Sequence, residues 1–176
     1  MRPYEHVCLD RNVVRSMKSI GLMTKLIAEI GWNHMGDMSL AKRMIDEANL
    51  AGATFAKFQT WSVKRLKHGE WDNDGRREIY IAAELSEDMH RDLISHCEGK
   101  SIDFMSSAFS LPDAQLLNKL KVNIVKIPSF EVANHELIKY CDGNFSEVII
   151  STGTATKEEI LNLSDLIDQS KTTVMH

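Results

Sequence analysis

From residue 24 onward the chain alternates short apolar segments with amphipathic ones, and this alternation constrains the fold more than any other feature. Residues 24–31, 55–61, 103–109, 124–129, 147–153 and 172–176 read as strands. The spacing predicts a helix over 39–52, with Leu40, Met44, Ile45, Ala48 and Ala51 on one face and Lys42, Arg43, Asp46 and Glu47 on the other. Further helices begin at Ser86, an N-cap candidate with Gly99 near the end, and at the early proline of Ser110-Leu-Pro-Asp113. Two more start near Asn134 and at the capping box Thr156-Lys-Glu-Glu159.

Strict alternation of strand and helix with short connections implies a parallel sheet covered by helices. A doubly wound sheet and a barrel both satisfy it. The barrel is favoured because no glycine-rich dinucleotide fingerprint follows the first strand and the pattern halts after (βα)₅β. The expected fold class is therefore α/β, an incomplete TIM-type (β/α)₈ barrel, 176 residues being short of the roughly 250 of a closed one. Residues 62–85 form the one long connection, and long βα loops lie at the C-terminal end of such sheets, where sites are built.

A net charge of −4 argues against a nucleic-acid or anionic-membrane surface, and no apolar run approaches the roughly 18 residues of a membrane span. The first 23 residues carry charges throughout and do not read as a secretory signal. Cys8, Cys97 and Cys141 are odd in number and widely spaced, which fits reduced thiols and a cytoplasmic protein.

Alternate residues of a barrel strand face the interior, and those at its C-terminal end face the active site. That parity puts Ile27 and Glu29 on one face of the first strand and Lys57 and Gln59 on one face of the second. The third strand offers Ser107, the fourth Lys126 followed by Ser129 and Glu131, the fifth Ser151 and the sixth His176. Strands of a parallel sheet should be almost wholly apolar, so polar ends on all of them call for an explanation. A single buried lysine can be a structural ion pair, and a single serine a turn residue. Two lysines and two glutamates at one end of four strands point instead to an anionic ligand, since a buried charge must be paired or bind something. His90 and His96 read as surface or hydrogen-bonded helix residues. For His34, in the turn Asn33-His34-Met35-Gly36, a turn role and substrate contact both remain open. No GxSxG, HExxH, Walker or CxxC motif is present.

At these residues the sequence resembles the N-acetylneuraminate (sialic acid) synthase family, from about Lys25 to the last residue. The carrying motifs, in order, are IAEIGWNHMG at 27–36, AGATFAKFQT at 51–60, ELS at 84–86, FMSSAF at 104–109, KIPSFE at 126–131 and STG at 151–153, with MH at 175–176 similar to the start of a seventh. Phe130 is similar to the branches that act on pseudaminic- or legionaminic-type sugars, whereas Ala108 stands where the family has proline.

The resemblance implies phosphoenolpyruvate held by Lys57, Ser107, Lys126, Ser129 and Ser151, with Glu29 and Glu131 as catalytic carboxylates and Gln59 and His176 near an amino-sugar. It implies condensation of the two into a nonulosonic acid in a homodimer, with a divalent metal, manganese or magnesium. The family's metal ligands have no counterpart in this chain, so no metal-binding residue is assigned and the chain alone is expected to be inactive. Residues 1–22 have no family counterpart and are expected to form a non-barrel leader before the barrel part, 23–176, with Met23 as an alternative start. Two alternatives stand beside this reading: a split or degenerate chain that serves only as a binding or assembly partner, and another phosphoenolpyruvate or sugar aldolase barrel.

Overall fold

A computed structural model describes residues 25–66, 68–153 and 155–175, so the expected leader and His176 lie outside the described residues. The elements run β1 (Ile27–Gly31), α1 (Met38–Leu50), β2 (Phe55–Thr60), α2 (Arg76–Ala83), α3 (Glu87–Lys100), β3 (Asp103–Ala108), α4 (Leu111–Lys119), β4 (Ile124–Ile127), α5 (His135–Asn144), β5 (Glu147–Ser151), α6 (Lys157–Leu163) and β6 (Thr172–Met175). Local chemistry accounts for most of the boundaries. Asp37 caps α1 by accepting from the Ser39 and Leu40 amides at 2.8 and 3.0 Å. Ser86 accepts from Met89 N–H at the start of α3, and Thr156 from Glu159 N–H at the start of α6. The face of α1 that packs inward is centred on Ala41 and Ile45, whereas Ala51 is exposed at the C-cap, because the helix ends before the expected stripe is complete. β4 ends at Ile127 because Pro128 has no N–H for the next ladder bond.

The connection 62–85 is more ordered than its sequence suggested. It holds 3₁₀ turns at Val63–Arg65 and Glu70–Asp72 and the whole of α2. Gly75 starts α2 in a left-handed conformation, and Val63 N–H donates to Glu84 Oε2 at 2.9 Å, which ties the two ends of the segment together. The eight-residue helix was hidden because it is short and amphipathic over barely two turns.

All neighbouring strands are parallel, and the sheet order is β1-β2-β3-β4-β5-β6. A doubly wound sheet would reverse its order at a switch point, and this one does not. Curvature settles the matter. Lys25, at the start of β1, bonds Glu147, at the start of β5, at 2.9 Å. In a flat sheet those strands would lie about 19 Å apart, beyond the joint reach of two side chains. The sheet is therefore wrapped as in a barrel, with six strands of the wall present.

The outer face carries the main core. Phe58, Ala56 and Ile30 pack against Ile45, Leu93 and Cys97 of α1 and α3, and Val125, Ile127, Val148 and Ile150 against Leu117, Ile138 and Cys141 of α4 and α5. Inside the curve, Phe55, Met105 and Ile124 form a small apolar plug. It fills the N-terminal half of the interior and leaves the polar strand ends above it. Both buried thiols are pushed up to about 12 by burial, so Cys97 and Cys141 stay protonated packing groups. Among the described residues no helix is long and apolar enough to cross a membrane.

Candidate functional site

Strand register brings the polar residues to one face. Glu29 pairs in register with Lys57, Lys57 with Met105, Gln59 with Ser107, Ser107 with Lys126, Lys126 with Ile149 and Ser151 with Met175. Because side chains alternate, Glu29, Lys57, Gln59, Ser107, Lys126 and Ser151 all belong to the concave face, as the parity argument expected. Ser129 and Glu131 follow in the 3₁₀ turn after β4.

Lys57 is 2% exposed and donates to Glu29 Oε2 at 2.5 Å. The Glu29 carboxylate is half open to solvent, so the pair is a buried cation leaning on an accessible anion. Burial pulls the Lys57 ammonium below the usual lysine range, and Glu29 opposes that shift. Lys126 is lowered too, first by burial and then by the charge of Lys57, with Glu29 again opposing. One strand, β3, separates the lysines, and the Lys126 ammonium responds to the field of Lys57. They form one electropositive locus with a single carboxylate between them. Glu131 does not serve as a second counter-ion. It accepts from Asn134 Nδ2 at 2.8 Å and faces a neighbouring cleft.

Gly31, at φ +59°, turns the chain out of β1, and the β1–β2 register shifts at this point. A Cβ there would stand 3.4 Å from Glu29 Oε1 and 3.7 Å from Gln59 Nε2, so both side chains converge over this glycine. Ser107 is buried, while Lys126, Ser129 and Ser151 are half-buried. A cation pair, three hydroxyls and a carboxylate on one concave wall can hold a compact dianion and leave one carboxylate able to take or give a proton.

The histidines stand behind this wall. His90 Nδ1 donates to the Ser86 carbonyl at 2.8 Å, which makes Nε2 the acceptor, 2.9 Å from the Thr60 hydroxyl. Thr60 in turn lies 2.7 Å from Ser106 Oγ. His34 is fully buried, accepts from Gly36 N–H at 3.1 Å through Nδ1 and packs on Phe58, so the turn role holds and substrate contact does not. Gly36 is needed for packing: at φ +84° a Cβ would overlap the Ala82 carbonyl oxygen of α2. His96 pairs with Asp46 at the helix surface. Among the described residues no three His, Cys, Asp or Glu side chains converge to hold a metal ion. The described residues therefore do not compose the divalent-metal site that the resemblance implies.

Reading strand parity missed a second feature. Trp32, Trp61, Phe109 and Phe130 follow the C-terminal ends of β1, β2, β3 and β4, and Trp71 and Tyr80 come from the 62–85 connection. With Gln59, Arg65, Glu131 and Asn134 they line a cleft of about 580 Å³. Their rings form a continuous wall, Tyr80 meeting Trp32, Trp61 and Trp71 at 5.5–6.2 Å and Phe109 meeting Trp61 and Phe130 at 5.6 and 5.3 Å. An aromatic just after each of four successive strands was the available signal. A larger cavity of about 850 Å³ lies at the opposite, N-terminal end, around Thr54, Asp103 and Asn123, where barrels carry no chemistry.

Fold and site together define a TIM-type barrel scaffold with a cationic interior site at the C-terminal ends of its strands. The NeuB family profile matches residues 44–176, and the chain belongs to that family. It is 35% identical over 148 residues to the N,N'-diacetyllegionaminic acid synthase of Campylobacter jejuni, covering 78% of this chain and 44% of that protein. It is 28% identical over 157 residues to the pseudaminic acid synthase of the same species, covering 83% and 46%. The crystal structure of the N-acetylneuraminic acid synthetase of Leptospira borgpetersenii, in complex with citrate, superposes with a TM-score of 0.73 at 31% identity over 85% of this chain and 51% of that one. The chain thus spans about half the length of the relatives it matches.

Proposed function

We propose that the chain carries the phosphoenolpyruvate half of a nonulosonic acid synthase site. The observation that supports this best is the Lys57–Lys126 locus, with Glu29 as its one counter-ion, on the concave face of a NeuB-family barrel. Lys57 and Lys126 hold the phosphate and carboxylate, and the hydroxyls of Ser107, Ser129 and Ser151 fill the remaining acceptor positions. Gln59 turns toward an open-chain acetamido sugar.

In the proposed reaction C3 of phosphoenolpyruvate attacks the C1 aldehyde of the sugar. A C–C bond forms, the aldehyde oxygen takes up a proton, and positive charge develops at C2. Water adds at C2 and gives up a proton. The bond between C2 and the phosphate oxygen then breaks and the C2 hydroxyl gives up its proton to the departing phosphate, leaving the 2-keto acid. Glu29, on the concave wall, is the carboxylate placed to take or give these protons, and Glu131 acts from the neighbouring cleft. The divalent metal implied by the resemblance would polarise the aldehyde oxygen; the described residues do not compose its site, so no step here depends on it. Dimerisation and a cytoplasmic setting belong to the same proposal.

The test is a titration of the chain with phosphoenolpyruvate followed by ³¹P line broadening. Saturable broadening, lost in Lys126→Met, is the expected result. Equal broadening in the variant, or none in the unaltered chain, contradicts it.

A further inference from the structure

Resting on the same lysine locus as that reading, we propose that Lys126 captures small 2-oxo acids covalently, as an imine between its Nζ and the ligand's C2, while the Lys57 ammonium holds the ligand's carboxylate. The two lysines differ in their company. Lys57 is 2% exposed and fixed to Glu29 Oε2 at 2.5 Å, and an ammonium so engaged has no lone pair to offer. Lys126 is half-buried and therefore reachable, and among the described residues no hydrogen bond or ion pair engages its amine. On the same concave wall Ser107 stands beside it in register, and Lys57 lies on the far side of β3. Burial and the neighbouring Lys57 charge both pull Lys126 below the usual lysine range, which enlarges the neutral fraction. A desolvated lysine next to a second cation is a recurrent way of making an amine nucleophilic.

The step balances with the groups at hand. The neutral Lys126 amine attacks C2 of the 2-oxo acid, the Nζ–C2 bond forms, and the carbonyl oxygen takes up a proton to give a carbinolamine. Nζ then loses its second proton, the C2–O bond breaks, and the oxygen leaves as water. Glu29 is half open to solvent and its charge acts on Lys126, so it is the group that passes both protons in turn from Nζ to the departing oxygen. Phosphoenolpyruvate has no ketone at C2 and is held without a bond. The 2-keto acid class that the proposed condensation yields does carry one. Both kinds of ligand need the same two lysines, so they compete.

Pyruvate is the probe, trapped with sodium borohydride, which reduces the imine to a stable secondary amine that peptide mapping by mass spectrometry locates. The expected result is one adduct, pyruvate less one oxygen atom, on Lys126. It should form at least several-fold faster than on the exposed Lys121 and Lys157, and phosphoenolpyruvate should suppress it. The pH midpoint of labelling should lie below the ordinary lysine value of 10.5, and Lys57→Met should move it upward, a shift that a purely steric role for Lys57 would not produce. Lys126→Arg keeps the charge and should abolish the interior adduct, its melting temperature showing that the fold survives. The inference is overturned if labelling simply follows exposure, if Lys57 is labelled in place of Lys126, if nothing is labelled, or if Lys57→Met leaves the midpoint unmoved. Thermal melting with phosphoenolpyruvate keeps the two readings apart. A phosphoenolpyruvate-induced shift without labelling of Lys126 defeats the imine alone. Labelling of Lys126 that phosphoenolpyruvate does not block, with no shift in melting, defeats the phosphoenolpyruvate reading and leaves the imine standing.

Discussion

A buried ammonium is unfavourable unless something answers its charge, and Lys57 has only the half-exposed Glu29 to do so. The consequence is a pH dependence whose two parts run in opposite directions. Burial lowers Lys57 and Lys126 in the folded chain, so at alkaline pH the unfolded chain, with lysines near 10.5, holds more protons than the folded one. Stability of the ligand-free chain should therefore rise as pH climbs through the folded lysine values toward 10.5. Anion affinity should fall over that same window, because the anion binds the protonated lysines. Chemical denaturation and phosphoenolpyruvate titration across pH 7–10 check both trends; affinity that is flat or rising with pH would mean the lysines do not hold the ligand. At this scale the site was partly legible. Strand parity picked out Glu29, Lys57, Gln59, Ser107, Lys126 and Ser151 because a period of two is rigid once a strand is recognised. It could not show that Glu29 alone would answer the lysines, because the turn at Ser129–Glu131 carries Glu131 out of the strand's alternation and toward Asn134.

Between elements, two contacts behind the site fix how the wall is held. The buried run from Ser86 through His90 and Thr60 to Ser106 clamps α3 to β2 and β3, directly behind Gln59 and Ser107. Thr60→Val would leave His90 Nε2 without its donor and should cost about 1–3 kcal/mol of stability. His34 and His90 are both lowered by burial, so the unfolded chain takes up protons near 6.5 before the folded one does. Their contribution is complete above that value and is lost as pH falls below it; a melting temperature that holds steady from pH 7 to 5 would contradict this. The second contact is Gly36 against Ala82. Gly36→Ala forces backbone against backbone at positive φ and should destabilise by about 2 kcal/mol or more, displacing α2 and with it Tyr80. Circular dichroism melts give the loss, and altered tryptophan emission reports the disturbed cleft. The caps at Ser86 and Thr156 were legible because each cap is a local signal. The helix α2 was not, since its position depends on the tertiary fit at Gly36 and on the tie between Val63 and Glu84.

For the whole molecule, six parallel strands in sequential order and the Lys25–Glu147 bridge make a curved wall rather than an open sheet. Strand order and curvature are long-range facts, which is why alternation alone left the barrel and the doubly wound sheet both open. The chain spans under half of its synthase relatives, and the described residues compose no metal site.

Thermal melting with and without phosphoenolpyruvate, in the unaltered chain and in Lys57→Met and Lys126→Met, tests the central claim most directly. Methionine keeps the length of the side chain and removes the charge. A ligand that binds only the folded chain raises its melting temperature with occupancy, and losing one charge-assisted contact of about 1.5–3 kcal/mol weakens binding roughly tenfold or more. The account predicts a concentration-dependent rise in the unaltered chain and almost none in either variant, even where the ligand-free variant is the more stable protein. An equal rise in all three, or none in any, would show that the two lysines do not share an anion site.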